Sequence, residues 1–258
     1  MIILGNYRSA PPAALLKSDA LAPEALPVLA VTGLKREARL AAGPGVATIG
    51  AGGDPKRLRA ILSARIKPGC RAVVSIGIAG GLDPALVPGD VVIGTGVVGA
   101  RQRWEAHADI ARLLADRLSG HSKQVVLADL AGVDAPALSL MEKSTLRAAT
   151  GAAAVDMESH VAAAFAEDHG LPFTAVRVVC DPADRTLPAF VAHALRPDGE
   201  VDIAAVLLAI ARRSAKVGGL VRLARDARAA FDALRHCRAL LGFGLSVPHF
   251  DELLGDVT

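Results

Sequence analysis

Residues 153–187 read AAVDMESHVAAAFAEDHGLPFTAVRVVCDPADRTL, and this stretch decides the fold. Ala153–Met157 is a short apolar strand. Ser159–His169 carries a helical pattern, and Gly170-Leu171-Pro172 stops it as a helix C-terminus should. Phe173–Cys180 is a β-branched, apolar run of the kind that forms a buried strand. Glu158 and Asp181 fall at the C-terminal ends of the two strands. Ligands of α/β sheets bind at those ends, so two carboxylates distant in sequence are expected to face one ligand. Each acid also has an ordinary reading. Glu158 in a first helical turn suits the macrodipole, and Asp181 before Pro182 is a common helix start.

The rest of the chain fits one large α/β domain. Its 258 residues can bury a substantial core, and 52% hydrophobic with 21% charged residues excludes a disordered chain. No run of eighteen uninterrupted apolar residues is present, so no transmembrane helix is expected. The opening MIILGNYRSAPPAALLKSDALAPEALP lacks a basic stretch before a long apolar core and does not read as a secretory signal. Cys70, Cys180 and Cys237 lack CxxC spacing, which points to reduced thiols in a cytoplasm and to no zinc site. A net charge of +3 implies no nucleic-acid partner. The charge is uneven, however. Ala211–Leu241 holds eight Arg or Lys against two Asp, a +6 excess. Leu220–Leu241 reads as an amphipathic helix that covers the domain, with peripheral membrane contact as its second reading.

Working outward, VLAVTGLKREARLA (28–41) is a strand, a turn at Gly33 and a helix start that carries Glu37. ATIGAGGDPKRLRAIL (47–62) is a strand, a glycine loop and a helix capped by Asp54 with Pro55 at its first position. AVVSIGIAGGLDPALVPGDVVIGTGVV (72–98) holds a buried strand, Ala72–Ile76, then glycines that admit a ligand close to the backbone, then a second strand, Val91–Val98. Its glycine spacing is not GxGxxG, which disfavours a dinucleotide-dependent oxidoreductase. Trp104–Leu118 reads as a helix, Val125–Leu127 as a short strand and Glu200–Ala215 as a helix, with an interruption at Gly218-Gly219. Residues 1–26 read as a weakly ordered arm, 27–241 as the domain and 242–258 as a tail.

VDMESHVAAAF (155–165) followed by RVVCDPAD (177–184) resembles the nucleoside phosphorylase and nucleosidase superfamily, including methylthioadenosine/S-adenosylhomocysteine nucleosidases. The resemblance is strongest to the hopanoid-associated phosphorylase group. It implies a three-layer αβα sandwich with a mixed central sheet. It also implies that Met157 and Glu158 bind ribose, that Cys180 and Asp181 serve the purine with Asp181 as general acid, and that Glu37 activates water. Cys180 stands where relatives carry a serine. Ile78, Ala79 and Gly80 are expected along the substrate, and Gly33 and Ser75 where phosphate would be held. The arginines that bind phosphate in related phosphorylases are not matched, which leans towards hydrolysis and leaves inorganic phosphate as a co-substrate open. No aromatic occupies ADLAGVDAP (128–136), where nucleosidases stack the base. The implied reaction is removal of adenine from a nucleoside: adenosylhopane to ribosylhopane, directly or through a ribose 1-phosphate product. The alternatives are a methylthioadenosine/S-adenosylhomocysteine-type nucleosidase and a silent nucleoside-binding relative. No cofactor or metal is implied, and a homo-oligomer is.

Overall fold

Two interleaved sets of apolar residues organise the molecule, because strand side chains alternate between faces. The computed structural model describes residues 26–65, 67–120, 123–188 and 217–248. The elements run β1 (Val28–Thr32), α1 (Lys35–Ala41), β2 (Val46–Gly50), α2 (Pro55–Ser63), β3 (Ala72–Gly81), β4 (Val91–Val98) and β5 (Arg103–Glu105). They continue with α3 (Ala108–Leu118), β6 (Val125–Gly132), α4 (Leu140–Thr150), β7 (Ala154–Asp156), α5 (Ser159–Asp168), β8 (Phe173–Asp181) and α6 (Val217–Leu241). A 3-10 turn, Phe243–Ser246, follows.

On one face of the sheet, Val28, Ala30, Val74, Ile76, Val176 and Val178 pack with Ile110 and Leu114 of α3 and with Phe231 and Leu234 of α6. On the other, Leu29, Val31, Val73, Ala175 and Val179 pack with Leu58 and Leu62 of α2 and with Val161 and Phe165 of α5. The expected mixed central sheet between helical layers is therefore present. Its strand order is β2-β1-β3-β7-β6-β4-β5, and β8 pairs with both β3 and β4. The pairs β3–β8, β8–β4, β4–β6, β6–β7 and β7–β3 close a five-stranded ring. Strands β1, β3 and β8 run parallel, so Glu37, which follows β1, the glycines of β3 and Asp181 meet at one end of the sheet.

Several local expectations change. Arg103–Glu105 pairs antiparallel with β4, so Trp104 lies in a strand and the helix begins only at Ala108. β6 extends to Gly132 because it finds partners in both β4 and β7. α6 is described from Val217, so Gly218 and Gly219 lie in its first turn. Gly242, with φ 55°, ends α6, yet the chain after it is not loose as far as Val247: Leu245 and Val247 are buried in the core. The arm at 1–25, the helix read at 200–215 and residues 249–258 lie outside the described residues.

Candidate active site

β7 ends at Asp156, and α5 must begin within two residues. The first amides of a helix lack partners inside it, and a carboxylate just ahead of the helix satisfies them. Asp156 does so here: its Oδ1 accepts from the amides of Glu158 and Ser159 at 2.8 and 2.6 Å. Glu158, at the cap position itself, makes no capping bond with its side chain. Its carboxylate points instead to Arg177, 3.4 Å away.

Arg177 is the centre of the arrangement. It lies midway along β8 and is 0% exposed. Its Nη2 donates to Ser75 Oγ at 2.6 Å and its Nε to Ser159 Oγ at 3.2 Å, and Asp156 Oδ2 lies 3.2 Å from Nε. A buried guanidinium is tolerated only with its charge and donors matched. Burial opposes its proton, but Asp156, Glu158 and Glu37 together push its pKa up.

Glu37 completes this pole. Its Oε2 accepts from the amides of Gly33 and Leu34 at 2.9 and 2.6 Å, and its Oε1 from the amide of Ile78 at 2.7 Å. Burial raises the Glu37 pKa against the opposing pull of Arg177 and those amides. Burial likewise raises Glu158, against Arg177 and with help from Asp156 and Glu37, to about 8. Gly33 and Gly77 are glycines because the acids sit on them. A Cβ at Gly33 would stand 2.5 Å from Glu158 Oε1, and one at Gly77 2.5 Å from Glu37 Oε1.

The second pole is Asp181, the last residue of β8. No helix follows it as far as residue 188, so it is not a helix cap. Lys143 of α4, 1% exposed, donates to Asp181 Oδ2 at 2.5 Å and to the carbonyl of Pro182 at 2.8 Å. Burial raises the Asp181 pKa, and Lys143 works against it. β3 links the poles: Gly77 lies against Glu37 and Arg177, and a Cβ at Gly80 would be 3.3 Å from Asp181 Oδ2. Three strand residues span about 10 Å.

Glu37, Glu158, Asp181, Ile78 and Gly80 are thus gathered at one end of the sheet, with Ala79 buried between the last two and Met157 half-buried between Asp156 and Glu158. Cys180 is not brought to the site. Its side chain packs among the apolar residues of the α3–α6 face, where burial pushes the thiol up to about 12. Alternation along β8 turns it away from the face that carries Arg177. Gly33 and Ser75, expected where phosphate would be held, both have their polar groups engaged within the protein. The Gly33 amide is held by Glu37, and the Ser75 hydroxyl by Arg177 and Ser159. Of the nearby cations, Arg36 stacks 4.0 Å over the Phe231 ring, and Arg103 is bound by Asp129 and Glu105. Sequence reasoning missed Arg177 and Lys143. The signal for Arg177 was a lone charge inside an apolar strand, which must be paired if the strand is buried. Lys143 had no comparable signal. A groove of about 380 Å³ lined by Arg71, Phe243 and Pro248 opens at the other end of β3 and is separate from these acids.

The sequence model of the phosphorylase superfamily matches residues 45–221. No curated protein sequence matches the chain. Solved structures share its fold. Futalosine hydrolase of Helicobacter pylori has a TM-score of 0.59 at 14% identity, over 84% of this chain and 98% of that one. The 5′-methylthioadenosine/S-adenosylhomocysteine nucleosidase of Campylobacter jejuni gives 0.57 at 13%, over 82% and 98%. The nucleosidase of Colwellia psychrerythraea, in complex with adenine, gives 0.55 at 17%, over 62% and 84%.

Proposed function

Because this chain belongs to the phosphorylase superfamily, we propose that it cleaves the N-glycosidic bond of a purine nucleoside with water as the nucleophile. The observation that carries this reading is the buried set of Glu37, Glu158, Asp156 and Arg177, three carboxyl groups around one guanidinium. Such a set disfavours a phosphate dianion and favours the positive charge that develops on a sugar as its bond to the base breaks. Glu37, its pKa raised by burial, is suited to take the proton of an attacking water. Glu158 is suited to the ribose hydroxyls. Asp181, held by Lys143, meets the leaving base, which must take a proton at N7 as the C1′–N9 bond breaks.

The resemblance of VDMESHVAAAF and RVVCDPAD to hopanoid-associated phosphorylases supports an adenine nucleoside with a large apolar 5′ group. The substrate under this reading is adenosylhopane, converted to adenine and ribosylhopane. Such a substrate partitions into bilayers, and Arg222, Arg225 and Arg228 are exposed on α6 beside the exposed Val221. This supports reversible docking on an anionic membrane surface from the cytoplasm. A homo-oligomer is part of the same reading. The folds of the neighbouring nucleosidases favour a second one, a 5′-methylthioadenosine or S-adenosylhomocysteine substrate.

One assay tests the whole. The protein is incubated with adenosine, 5′-methylthioadenosine and adenosylhopane, each with and without inorganic phosphate. Adenine and the sugar product are identified by chromatography. Release of adenine and a free sugar without phosphate is expected. Strict dependence on phosphate with a 1-phosphate product would replace water by phosphate. No adenine from any substrate would leave only nucleoside binding.

A further inference from the structure

A lysine buried to 1% exposure is unusual, because removing an ammonium from water is costly unless it is fully matched. Lys143 reaches the site from α4, whose start is fixed by a reciprocal cap: Ser139 Oγ accepts from the Glu142 amide at 3.2 Å, and Glu142 accepts from the Ser139 amide at 2.8 Å. An ammonium has three donors. Among the described residues two of them are taken, by Asp181 Oδ2 and the Pro182 carbonyl. Lys143 and Asp181 thus present a cation and an anion side by side where β8 ends, beside Gly80, whose missing Cβ leaves the carboxylate open to β3. The Hoogsteen edge of adenine has the same two parts in reverse: N7 accepts and the N6 amino group donates. Hypoxanthine offers two acceptors there.

We propose that Lys143 and Asp181 act as one base-reading pair, in which Asp181 accepts from the N6 amino group of adenine and the Lys143 ammonium donates to N7 and protonates it. This rests on the nucleoside-cleavage reading and moves the leaving-group proton within it from Asp181, where the resemblance puts it, to Lys143. In the step, the C1′–N9 bond breaks and its electron pair goes to the base. Lys143 gives a proton to N7 and becomes a neutral amine. Water adds to C1′ and its proton passes to Glu37. Solvent then takes the proton from Glu37 and restores the one on Lys143. A bound carboxylate and a bound ammonium explain why Asp181 needs no neighbouring hydroxyl and why Cys180 is free to serve the core.

The test compares Lys143→Gln and Lys143→Met with the parent on two leaving groups. Adenosine needs protonation of its base, whereas 4-nitrophenyl riboside leaves as a stable phenolate. Folding of each variant is checked by circular dichroism, and Lys143→Gln, which retains donors, is the reference if Lys143→Met unfolds. Expected is a loss of at least about a hundredfold on adenosine, the usual size of an acid contribution, with a far smaller loss on the nitrophenyl substrate. Calorimetry should also show that preference for free adenine over hypoxanthine shrinks in the variants. Equal losses on both leaving groups would make Lys143 a clamp for α4 and overturn the proposal, as would normal adenosine turnover. A parent protein inert on both substrates would instead sink the nucleoside-cleavage reading, whatever the variants do.

Discussion

Glu158 lies 3.4 Å from the guanidinium of Arg177 and leaves the capping of its own helix to Asp156. The division of labour has an electrostatic result. Helix amides would favour the charged form of Glu158. Asp156 takes those amides, so burial dominates at Glu158 and pushes it up to about 8.

The first prediction is a pH dependence of stability. Glu158 rises from its ordinary 4.5 to about 8 on folding, so the folded protein holds a proton that the unfolded chain releases. Its contribution is fully present below about pH 4.5 and is lost as the pH climbs to about 8. Glu37 and Asp181 shift in the same direction. The melting temperature should therefore fall from pH 5 to pH 8, and Glu158→Gln should flatten that slope. Parallel slopes in parent and variant would contradict the assignment.

Arg177→Met should be severely destabilising. It leaves Asp156, Glu158 and Glu37 buried around an apolar side chain. Breaking a buried ion pair by removing one partner costs roughly 3–5 kcal/mol. Urea unfolding measures it, and a loss below about 1 kcal/mol would show that Arg177 is dispensable to the cluster.

Gly77→Ala should behave like Glu37→Gln in the adenine-release assay. Its Cβ would stand 2.5 Å from Glu37 Oε1 and 2.7 Å from Arg177 Nη1, so the acid must leave its place. A tenfold or larger loss is expected, since small misplacements at a reacting centre cost about that much or more. Gly218→Ala is the control. Among the described residues nothing lies within 4 Å of its Cβ position, and in α6 it should gain up to about 1 kcal/mol. Normal turnover by Gly77→Ala would remove Glu37 from the water step.

Membrane docking is tested by co-sedimentation with anionic liposomes. Each basic residue near such a surface contributes roughly 1 kcal/mol, and the attraction fades beyond a Debye length. Arg222, Arg225 and Arg228 are exposed on α6; Arg228 lies 3.7 Å from Asp232, which also pairs with the exposed Arg235, and Arg238 donates to the Ala41 and Gly242 carbonyls. Binding should fall with added salt and with Arg222, Arg225 and Arg228 changed to Gln. Absence of binding at low salt would end the idea without touching the site assignments.

Glu37, Glu158 and Asp181 were legible in the sequence because each follows a recognisable strand, and the ends of parallel strands converge. Their partners were not. Arg177 stands inside FTAVRVVCD, where the apolar pattern names a strand but not what its one charge meets. Ser75, Ser159 and Asp156 are brought to it from β3, α5 and β7. Lys143 lies 38 residues before Asp181, in the least patterned stretch of the chain. Trp104 was drawn into a helix because the apolar spacing of Ile110, Leu114 and Leu118 extends back to it, whereas pairing with β4 prevails. β7 has three residues, too few for a period to reveal that it closes a ring.

That ring also dictates when the site can exist in the life of a chain. β3 pairs with β8 in a register that sets Val73 opposite Phe173, and β4 likewise waits for β8, with Val91 opposite Val178. A nascent polypeptide emerging from the ribosome holds Glu37 and the glycine strand early, yet the cation that neutralises them arrives only with residue 177. Pairings this remote in sequence are slow to form and leave strand edges open meanwhile. Fragments that stop before β8 thus carry acids with no guanidinium to bury against, and catalytic competence begins only when the strand that bears it threads into place.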